Sequence, residues 1–402
     1  MISLSEALKL IVGNRPSYDV VPVLLKDALG ARCAQDITAK ITMPPFNASA
    51  MDGYAVKAQD ANEGAKLTVI GQAPAGRAFE GHIITGQAVR IFTGGIIPDG
   101  ADTIVIQENV SRNDDIIHIN TAPRLGNAVR KAGIDFKIGD TLIPKGARIT
   151  PAHIALAASG NHAKLSIHRR PKVALIANGD ELREPGSKLK DGQIVSSNSA
   201  GLAALIQFWG ADVMDMGIAA DDLDSIRTLI TQAKDADIIV PIGGASVGDY
   251  DYMKQAFAAE GYNPIFTKIA VKPGKPTWFG MLGEQRVLGL PGNPASANVC
   301  AHLCLKVLLG LSDTLVLTQA ILDTNIAKNG PRETYLRGAL YINSKGQLTV
   351  TPFPRQDSSL ITPLAAANAL VSLPPHGGPW QSGDNINVYP LGQGPDVFGA
   401  SP

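Results

Sequence analysis

Three loops rich in glycine and proline each follow a short apolar run in the second half of the chain. Their sequences are Gly243-Gly-Ala-Ser-Val-Gly-Asp, Lys272-Pro-Gly-Lys-Pro and Pro291-Gly-Asn-Pro. Glycines let main-chain N–H groups approach a phosphate closely, and prolines stiffen the loop around it. The three loops therefore predict a binding site for a phosphorylated small molecule.

Three lysines, Lys268, Lys272 and Lys275, lie in or next to the second loop. Pro273 and Gly274 constrain that loop, whereas an ordinary surface lysine sits on a flexible element. One ammonium group contributes roughly 4 kcal/mol of attraction to an anion at about 4 Å and an effective dielectric of about 20, before desolvation. We therefore favour phosphate binding over a role in solubility for these lysines.

Carboxylates follow the predicted strands at the same edge of the sheet. Asp180 and Glu181 follow the first strand, Asp221 ends a later apolar segment, and Asp249 and Asp251 close the first glycine loop. Carboxylate and phosphate repel each other, so a Mg²⁺ ion, which binds both kinds of oxygen, would reconcile them. Spacing alone leaves the alternatives open: a solvated turn for the first pair, and a helix cap for Asp221 and Asp251.

Two short motifs in the first half of the chain are ambiguous. Asp52-Gly53 has the composition of a hairpin turn, and local evidence favours that interpretation. Thr93 precedes a glycine pair and is either a turn residue or a hydroxyl directed at a ligand oxygen.

The overall composition indicates a multidomain protein without a general affinity for polyanions. The 402 residues contain 36 basic and 36 acidic side chains, which argues against nucleic acid or anionic membrane as a partner. Three cysteines, no export signal and no long apolar run predict a cytoplasmic protein without membrane spans. Cys300 and Cys304 stand four apart on a predicted helix, and packing is favoured over metal binding for them. Zinc-hydrolase, serine-hydrolase, P-loop and dinucleotide motifs are absent from the sequence.

Alternating apolar runs and helical periodicity predict a doubly wound α/β sheet between Pro171 and Leu309. The expected strands are 172–177, 211–217, 237–242, 277–282 and 286–290, and the expected helices are 197–209, 222–233, 252–260 and 295–309. Short runs separated by turn residues predict β structure elsewhere, at 66–71, 88–92, 103–107, 116–119, 335–342, 347–352, 369–373 and 385–389. A helical segment at 2–12 has no helical neighbour in sequence, so we expect it to pack on a distant part of the chain.

Six strings together resemble the molybdopterin molybdenumtransferase family, which includes MoeA and the gephyrin E domain. They occur in family order across nearly the whole chain: Asn47-Ala-Ser-Ala-Met-Asp-Gly-Tyr-Ala, Arg90-Ile-Phe-Thr-Gly-Gly, Gly179-Asp-Glu-Leu, Gly243-Gly-Ala-Ser-Val-Gly-Asp, Lys272-Pro-Gly-Lys-Pro and Gly289-Leu-Pro-Gly-Asn-Pro. The resemblance implies an elongated α/β plus β protein. Its expected parts are a central MogA-like molybdopterin-binding α/β domain (1–20 and 171–319), a small linking domain (21–40 and 146–170), an inserted mostly-β domain (41–145) and a C-terminal β-barrel-like domain (320–402).

The resemblance also implies a transferase that completes molybdenum cofactor biosynthesis. Molybdate would enter the dithiolene of adenylylated molybdopterin, with Mg²⁺ assisting and AMP released. The implied substrate-binding residues are Gly243, Gly244, Ser246, Gly248, Lys275, Pro291, Gly292, Asn293, Pro294 and, by a looser match, Ser358. The implied catalytic residues are Asp52, Thr93, Glu181, Asp221, Asp251, Lys268 and Lys272, of which Glu181, Asp221 and Asp251 would bind the metal.

Family members are homodimers, and the resemblance implies an active site shared between two subunits. Asp52 and Thr93 would then reach the site from the partner subunit, which replaces the hairpin interpretation. Contacts with molybdopterin adenylyltransferase and with enzymes that accept the finished cofactor are implied as well.

The chain departs from the family pattern at four positions. Asn178 stands where Thr is usual, Asn47 and Ala48 replace an Asp-Asn pair, and Ile134 replaces a common acidic residue. These changes bear on turnover rate more than on fold.

Two alternatives remain at this level: a non-catalytic scaffold that binds molybdopterin, and a molybdopterin adenylyltransferase. Retained Asp52, Glu181, Asp251, Lys272 and Lys275 favour the transferase over the scaffold. The β domains argue against the adenylyltransferase, which resembles the central domain alone.

Overall fold

The structure is a computed structural model that describes residues 1–243 and 252–392. The chain divides into two compact units. The first comprises Met1–Asp19 and Arg169–Pro402, and the second comprises Val20–His168.

A six-stranded mixed sheet forms the centre of the first unit. Its strands lie in the order Asp212–Ala219, Lys172–Asn178, Ile238–Ile242, Gln285–Gly289, Trp278–Leu282 and Asn263–Phe266. The first four are parallel, and the last two pair antiparallel. Every residue of Ile238–Ile242 is buried, as expected for a strand covered on both faces. The five predicted strands are confirmed. Asn263–Phe266 was not predicted, because only one of its four residues is buried and its apolar run is short.

Helices cover both faces of this sheet. They are Leu4–Gly13, Ser197–Phe208, Leu223–Gln232, Tyr252–Ala259, Pro294–Cys300 and Lys306–Leu308, with a π-helical turn at Ala301–Leu305 and a 3₁₀ turn at Ala233–Asp235. Ser3 caps the first helix by accepting from the main-chain N–H of Glu6. The apolar side chains of this helix share a core with Leu303 and Val307, so the expected packing on a distant segment is confirmed.

A closed β-barrel forms the last part of the first unit. Its five strands are Glu333–Ile342, Leu348–Pro352, Thr318–Leu322, Asn385–Pro390 and Ala369–Leu373. The barrel closes because Glu333–Ile342 pairs with both Leu348–Pro352 and Ala369–Leu373. A short strand, Val271–Lys272, adds to Glu333–Ile342 in parallel, and a short helix lies at Thr362–Ala366. This pairing holds the second glycine-proline loop against the barrel.

The second unit contains two β-rich parts. One has the strands Val20–Leu24, Lys164–His168 and Arg32–Cys33, the pair Thr141–Ile143 and Ile37–Thr38, a helix at Pro151–Ser159 and a 3₁₀ turn at Leu25–Asp27. The other has a six-stranded sheet with the strand order Thr103–Ile106, Gly53–Val56, Gln87–Ile91, Lys66–Ala73, Ile116–Ile119 and Val110–Asn113. It also has the strand pair Val129–Arg130 and Ala48–Ser49. Its 3₁₀ turns lie at Ala58–Asp60 and Gln107–Asn109. Within the described residues of both units, no helix has the length and apolar character to cross a membrane.

Candidate functional site

Two neighbouring cavities lie in the first unit and share Pro276 and Ser296 in their walls. The first has a volume of about 760 Å³ and the second about 580 Å³. The first cavity includes the ends of two neighbouring parallel strands, at Asn178 and Ile242, and the loop after a third, at Pro291. Open α/β sheets bind ligands at this carboxyl edge.

Main-chain groups and small polar side chains line much of the first cavity. Gly243 has φ +93°, a conformation that L side chains rarely adopt, and its N–H donates to Leu290 O at 3.1 Å. Asn198 Nδ2 donates to Gly292 O at 2.6 Å, which fixes the third loop to the helix Ser197–Phe208. The polar and glycine residues in the wall are Asn178, Glu181, Ser196, Ser197, Asn198, Gly243, Gly292, Asn293, Ser296 and Ser359.

A side chain of the barrel joins the third loop. Asn293 Nδ2 donates to Ser358 Oγ at 2.9 Å, and the main-chain N–H of Ala295 donates to Ser358 O at 2.9 Å. Asn293 occupies the N-cap position before Pro294, as predicted, but its side chain makes no cap hydrogen bond. The Asn293 side chain binds the barrel instead, so Ser358 belongs to the same site as the third loop.

The second cavity contains three cationic side chains, Lys272, Lys275 and Arg332. Lys272 and Lys275 are both exposed to solvent. Arg332 was not predicted, because no local motif distinguishes it. Arg332 directly precedes the barrel strand Glu333–Ile342. Its Nη1 donates to Val271 O at 3.3 Å, next to the second glycine-proline loop. Asp357 is the acidic residue among those lining this cavity.

Hydrogen bonds to its main chain fix the second glycine-proline loop, Lys272-Pro-Gly-Lys-Pro. Thr277 Oγ1 donates to Gly274 O at 2.8 Å, and the Ile269 N–H donates to Lys275 O at 3.1 Å. Gly274 has φ +122°, and a Cβ added there would lie 2.1 Å from Cys300 Sγ. Only glycine fits this position, so the loop can support the two lysine side chains at defined sites.

The carboxylates near the first cavity form a local network. The Asp221 N–H donates to Asp180 Oδ1 at 3.1 Å, the Asp180 N–H donates to Asp221 Oδ2 at 3.3 Å, and Asn178 Nδ2 donates to Asp221 Oδ1 at 2.8 Å. Asp221 does not cap the following helix. Asp222 does so, by accepting from the Ser225 N–H at 2.7 Å, and the predicted cap was therefore wrong by one residue.

Glu181 is the carboxylate that lines the first cavity among the described residues. Within residues 1–243 and 252–392, no group of three or more His, Cys, Asp or Glu residues could hold a metal ion. Mg²⁺ does not need such a group, because it commonly binds one or two carboxylates together with water and substrate phosphates. Glu181 supplies a hard oxygen donor of this kind to the first cavity, whereas Asp221 lines neither cavity.

Some predicted site residues are not brought to the cavities. Lys268 is half-buried and lines neither cavity, and its main-chain oxygen accepts from the Ile2 N–H at 3.2 Å. Other predicted residues lie outside the part of the chain that the structure describes: Gly244, Ser246, Gly248 and Asp251.

Asp52 and Thr93 form a pair in the second unit. Asp52 Oδ1 accepts from both the N–H and the hydroxyl of Thr93, each at 2.8 Å. These two donors hold the pKa of the Asp52 carboxyl below its ordinary value, because they stabilise its charged form. Gly53 does not form a hairpin turn. It begins the buried strand Gly53–Val56, where a Cβ would lie 2.2 Å from Val105 O, so the local interpretation was wrong.

Sequence profiles of three protein regions match successive parts of the chain. They are the MoeA N-terminal region (domain I and II) over residues 2–160, a probable molybdopterin binding domain over 174–310, and the MoeA C-terminal region (domain IV) over 319–391. The chain belongs to the MoeA family.

Named relatives agree with this assignment. This MoeA-family chain is 33% identical over 400 residues to a molybdopterin molybdenumtransferase of Haemophilus influenzae, covering 97% of this chain and 99% of the relative. It is 32% identical over 402 residues to a protein of the same name from Bacillus subtilis, with 96% and 93% covered. A crystal structure of the molybdopterin biosynthesis MoeA protein from Pyrococcus horikosii superposes with a TM-score of 0.81 at 29% identity, with 97% of this chain and 99% of that chain covered.

Proposed function

We propose that this MoeA-family chain is a molybdopterin molybdenumtransferase that inserts molybdate into adenylylated molybdopterin and releases AMP. The observation that carries the proposal is the adjacency of the two cavities. One is built from main-chain loops at the carboxyl edge of the sheet, and the other contains three cationic side chains. Relatives named molybdopterin molybdenumtransferase, at 33% and 32% identity, support the same activity.

The first cavity would hold the nucleotide-activated pterin. Its volume of about 760 Å³ falls in the range of sites for drug-sized ligands. Gly243 and the third glycine-proline loop would present main-chain groups to phosphates, and Asn198 keeps the Gly292 peptide in place. Apolar side chains in the same wall, including Ile194 and Ile361, offer a surface for a planar ring. These features suit a ligand that has both rings and phosphates.

The second cavity would hold molybdate. Molybdate is a dianion, and Lys272, Lys275 and Arg332 provide positive charge without a described salt bridge to a carboxylate within residues 1–243 and 252–392. Ser358 also lines this cavity and can donate its hydroxyl hydrogen to an oxyanion, while its oxygen accepts from Asn293. Because the cavities share Pro276 and Ser296, molybdate would lie beside the pterin rather than at a distant site.

We propose Glu181 and Asp221 as the described ligands of Mg²⁺, with substrate phosphates and water completing its coordination. When bound, the ion would offset negative charge on the phosphoanhydride. Asn178 and the Asp180 N–H orient the Asp221 carboxylate toward a fixed position. The protein's own contribution to cleavage would be positioning and charge stabilisation, which phosphoryl transfer requires more than a covalent nucleophile.

A homodimer with a shared active site remains our proposal for the assembly. The Asp52–Thr93 pair supports it, because a half-exposed carboxylate held in its charged form by two donors is suited to meeting a ligand or a cation. The three free cysteines agree with a reducing, cytoplasmic setting. We also propose transient contacts with the adenylyltransferase that would supply the substrate and with enzymes that accept the product.

The proposal is tested by incubating the purified protein with adenylylated molybdopterin and Mg²⁺, with and without molybdate, and measuring AMP. Molybdate-dependent AMP release is expected. Binding of the pterin without AMP release would indicate a scaffold. Formation of adenylylated molybdopterin from ATP and molybdopterin would indicate the adenylyltransferase instead.

A further inference from the structure

A buried charged side chain lies on a barrel strand, on the face opposite the barrel-core residues Leu336 and Leu340. Arg337, in the middle of the strand Glu333–Ile342, is 1% exposed and is among the largest fully buried side chains. Buried arginines are normally paired, because burying an isolated charge is costly. In residues 1–243 and 252–392, no salt bridge involves Arg337. The Asp357 carboxylate attracts the guanidinium without a salt bridge, so its direct contacts must come from other hydrogen-bond acceptors.

These acceptors belong to one segment, residues 355–360. The guanidinium donates to Asp357 O at 2.9 Å, Leu360 O at 3.0 Å, Gln356 Oε1 at 3.3 Å and Arg355 O at 3.5 Å. The Gln356 side chain binds the Arg337 main chain in return, accepting from its N–H at 3.0 Å and donating to its oxygen at 2.9 Å. The segment has no regular secondary structure, so these hydrogen bonds define its path.

The same segment forms part of both cavities. Gln356, Asp357 and Ser358 line the second cavity, and Ser359 lines the first. On its other side the segment binds the third glycine-proline loop through Ser358 and Asn293. A shift of the segment would therefore displace groups in both cavities at once.

We propose that Arg337 is a positioning residue for the substrate cavities of this chain, acting through the carbonyl groups of residues 355–360. This inference rests on the proposed function for its catalytic consequence. The planar guanidinium suits the role because its five donors are arranged in a rigid fork, so one side chain can bind several carbonyls of one segment. Lysine would keep the positive charge but would present three donors from a single nitrogen.

Two substitutions separate positioning from charge. Arg337→Lys keeps the charge and loses the fork, whereas Arg337→Met removes both. We expect both variants to raise the KM for molybdate by about tenfold or more, the usual cost of losing hydrogen bonds to a charged group. A wild-type KM in Arg337→Lys with a raised KM in Arg337→Met would show that the charge alone matters, which would overturn the proposal.

A barrel variant controls for general loss of stability. Val388→Ala removes core volume at a fully buried position that belongs to the barrel core and makes no described hydrogen bond to residues 355–360. We expect it to lower the melting temperature while leaving the KM for molybdate unchanged. If Val388→Ala raises this KM as much as Arg337→Met at similar stability, the positioning role is contradicted.

Amide hydrogen exchange and proteolysis test whether Arg337 holds residues 355–360 in place, without an activity assay. Residues 355–360 should exchange faster in both Arg337 variants, and trypsin should cleave after Arg355 more readily than in the wild type. If the Arg337 variants do not fold, Gln356→Ala provides a second test, because it removes the hydrogen bonds of this segment to the Arg337 main chain. It should also give faster exchange of residues 355–360 and easier cleavage after Arg355. Unchanged exchange in the folded variants overturns the proposal, whereas absence of AMP release from the wild type overturns only the proposed function.

Discussion

Asn293 and Ser358 are joined by a side-chain hydrogen bond of 2.9 Å, which connects the helix start after the third glycine-proline loop to the barrel. The bond takes the place of the usual N-cap interaction of Asn293. The two cavities are therefore bounded by elements from both the α/β part and the barrel of the first unit. The barrel therefore contributes part of the wall of a site that also contains loops of the α/β sheet.

Ser358→Ala should weaken molybdate binding with little effect on fold. The substitution removes the hydroxyl, but the Ala295 N–H can still donate to the main-chain oxygen of residue 358. We expect the KM for molybdate to rise by roughly 3- to 10-fold, the range expected for one lost hydrogen bond. Steady-state AMP release measures the change. Ser382→Ala, which removes an exposed hydroxyl elsewhere in the C-terminal part, should leave the KM at the wild-type value.

Lys275→Met and Arg332→Met should each raise the KM for molybdate, by about tenfold or more for the loss of one cation near a dianion. The wild-type KM should also rise with ionic strength, and this dependence should weaken in the variants because fewer charges remain to be screened. Kinetics at several salt concentrations provide the measurement. Lys345→Met, at an exposed position elsewhere in the barrel, should behave as wild type. Equal salt dependence in all proteins would argue against an anion site in the second cavity.

Thr93→Val should raise the pKa of the Asp52 carboxyl toward its ordinary value. The valine keeps the main-chain donor and loses the hydroxyl donor, so the charged carboxylate is less stabilised. A carboxyl with a depressed pKa stays ionised as the pH falls, and removing a donor moves its protonation to higher pH. The acidic limb of the kcat/KM profile should therefore shift to higher pH. Carboxyl NMR titration checks the pKa directly, with Thr68→Val as an exposed control on a strand.

Mixing two variants that are each impaired, assayed at a molybdate concentration well below the wild-type KM, should restore activity if the site is shared between subunits. Asp52→Ala alters the second unit, and Lys275→Met alters the first. A heterodimer of the two would contain one intact site made from the unaltered halves. About a quarter or less of wild-type activity is expected after random exchange of dimer subunits. Activity that stays at the level of the separate variants, despite subunit exchange confirmed by mass spectrometry, would contradict the shared site.

The short-range sequence pattern is sufficient to predict strands that consist of an apolar run. The parallel strands of the sheet and most barrel strands were predicted because their Val, Ile and Leu content is high and turn residues separate them. Asn263–Phe266 lacks such a run and becomes a strand only by pairing with Trp278–Leu282. Its position depends on a neighbour rather than on its own sequence.

Site residues that depend on tertiary contacts were harder to predict. Asp52-Gly53 has turn composition, but Gly53 is a buried strand residue because its partner strand approaches too closely for a side chain. Arg332 has no motif of its own and reaches the second cavity through barrel pairing. Asp222 rather than Asp221 caps its helix, because Asp221 is engaged by Asn178 and Asp180. The sequence predicts residue types that could form a site, whereas long-range pairing determines which of these residues lie together.

If the proposed activity is right, the protein couples molybdate insertion to cleavage of the adenylylated pterin. The most direct measurement is the ratio of molybdenum to pterin in the product, by mass spectrometry, alongside AMP release in the same reaction. We predict one molybdenum per pterin and one AMP per molybdenum inserted. The protein does not couple the two reactions if AMP release yields a metal-free pterin. The same conclusion follows if the pterin stays adenylylated in the presence of Mg²⁺ and molybdate.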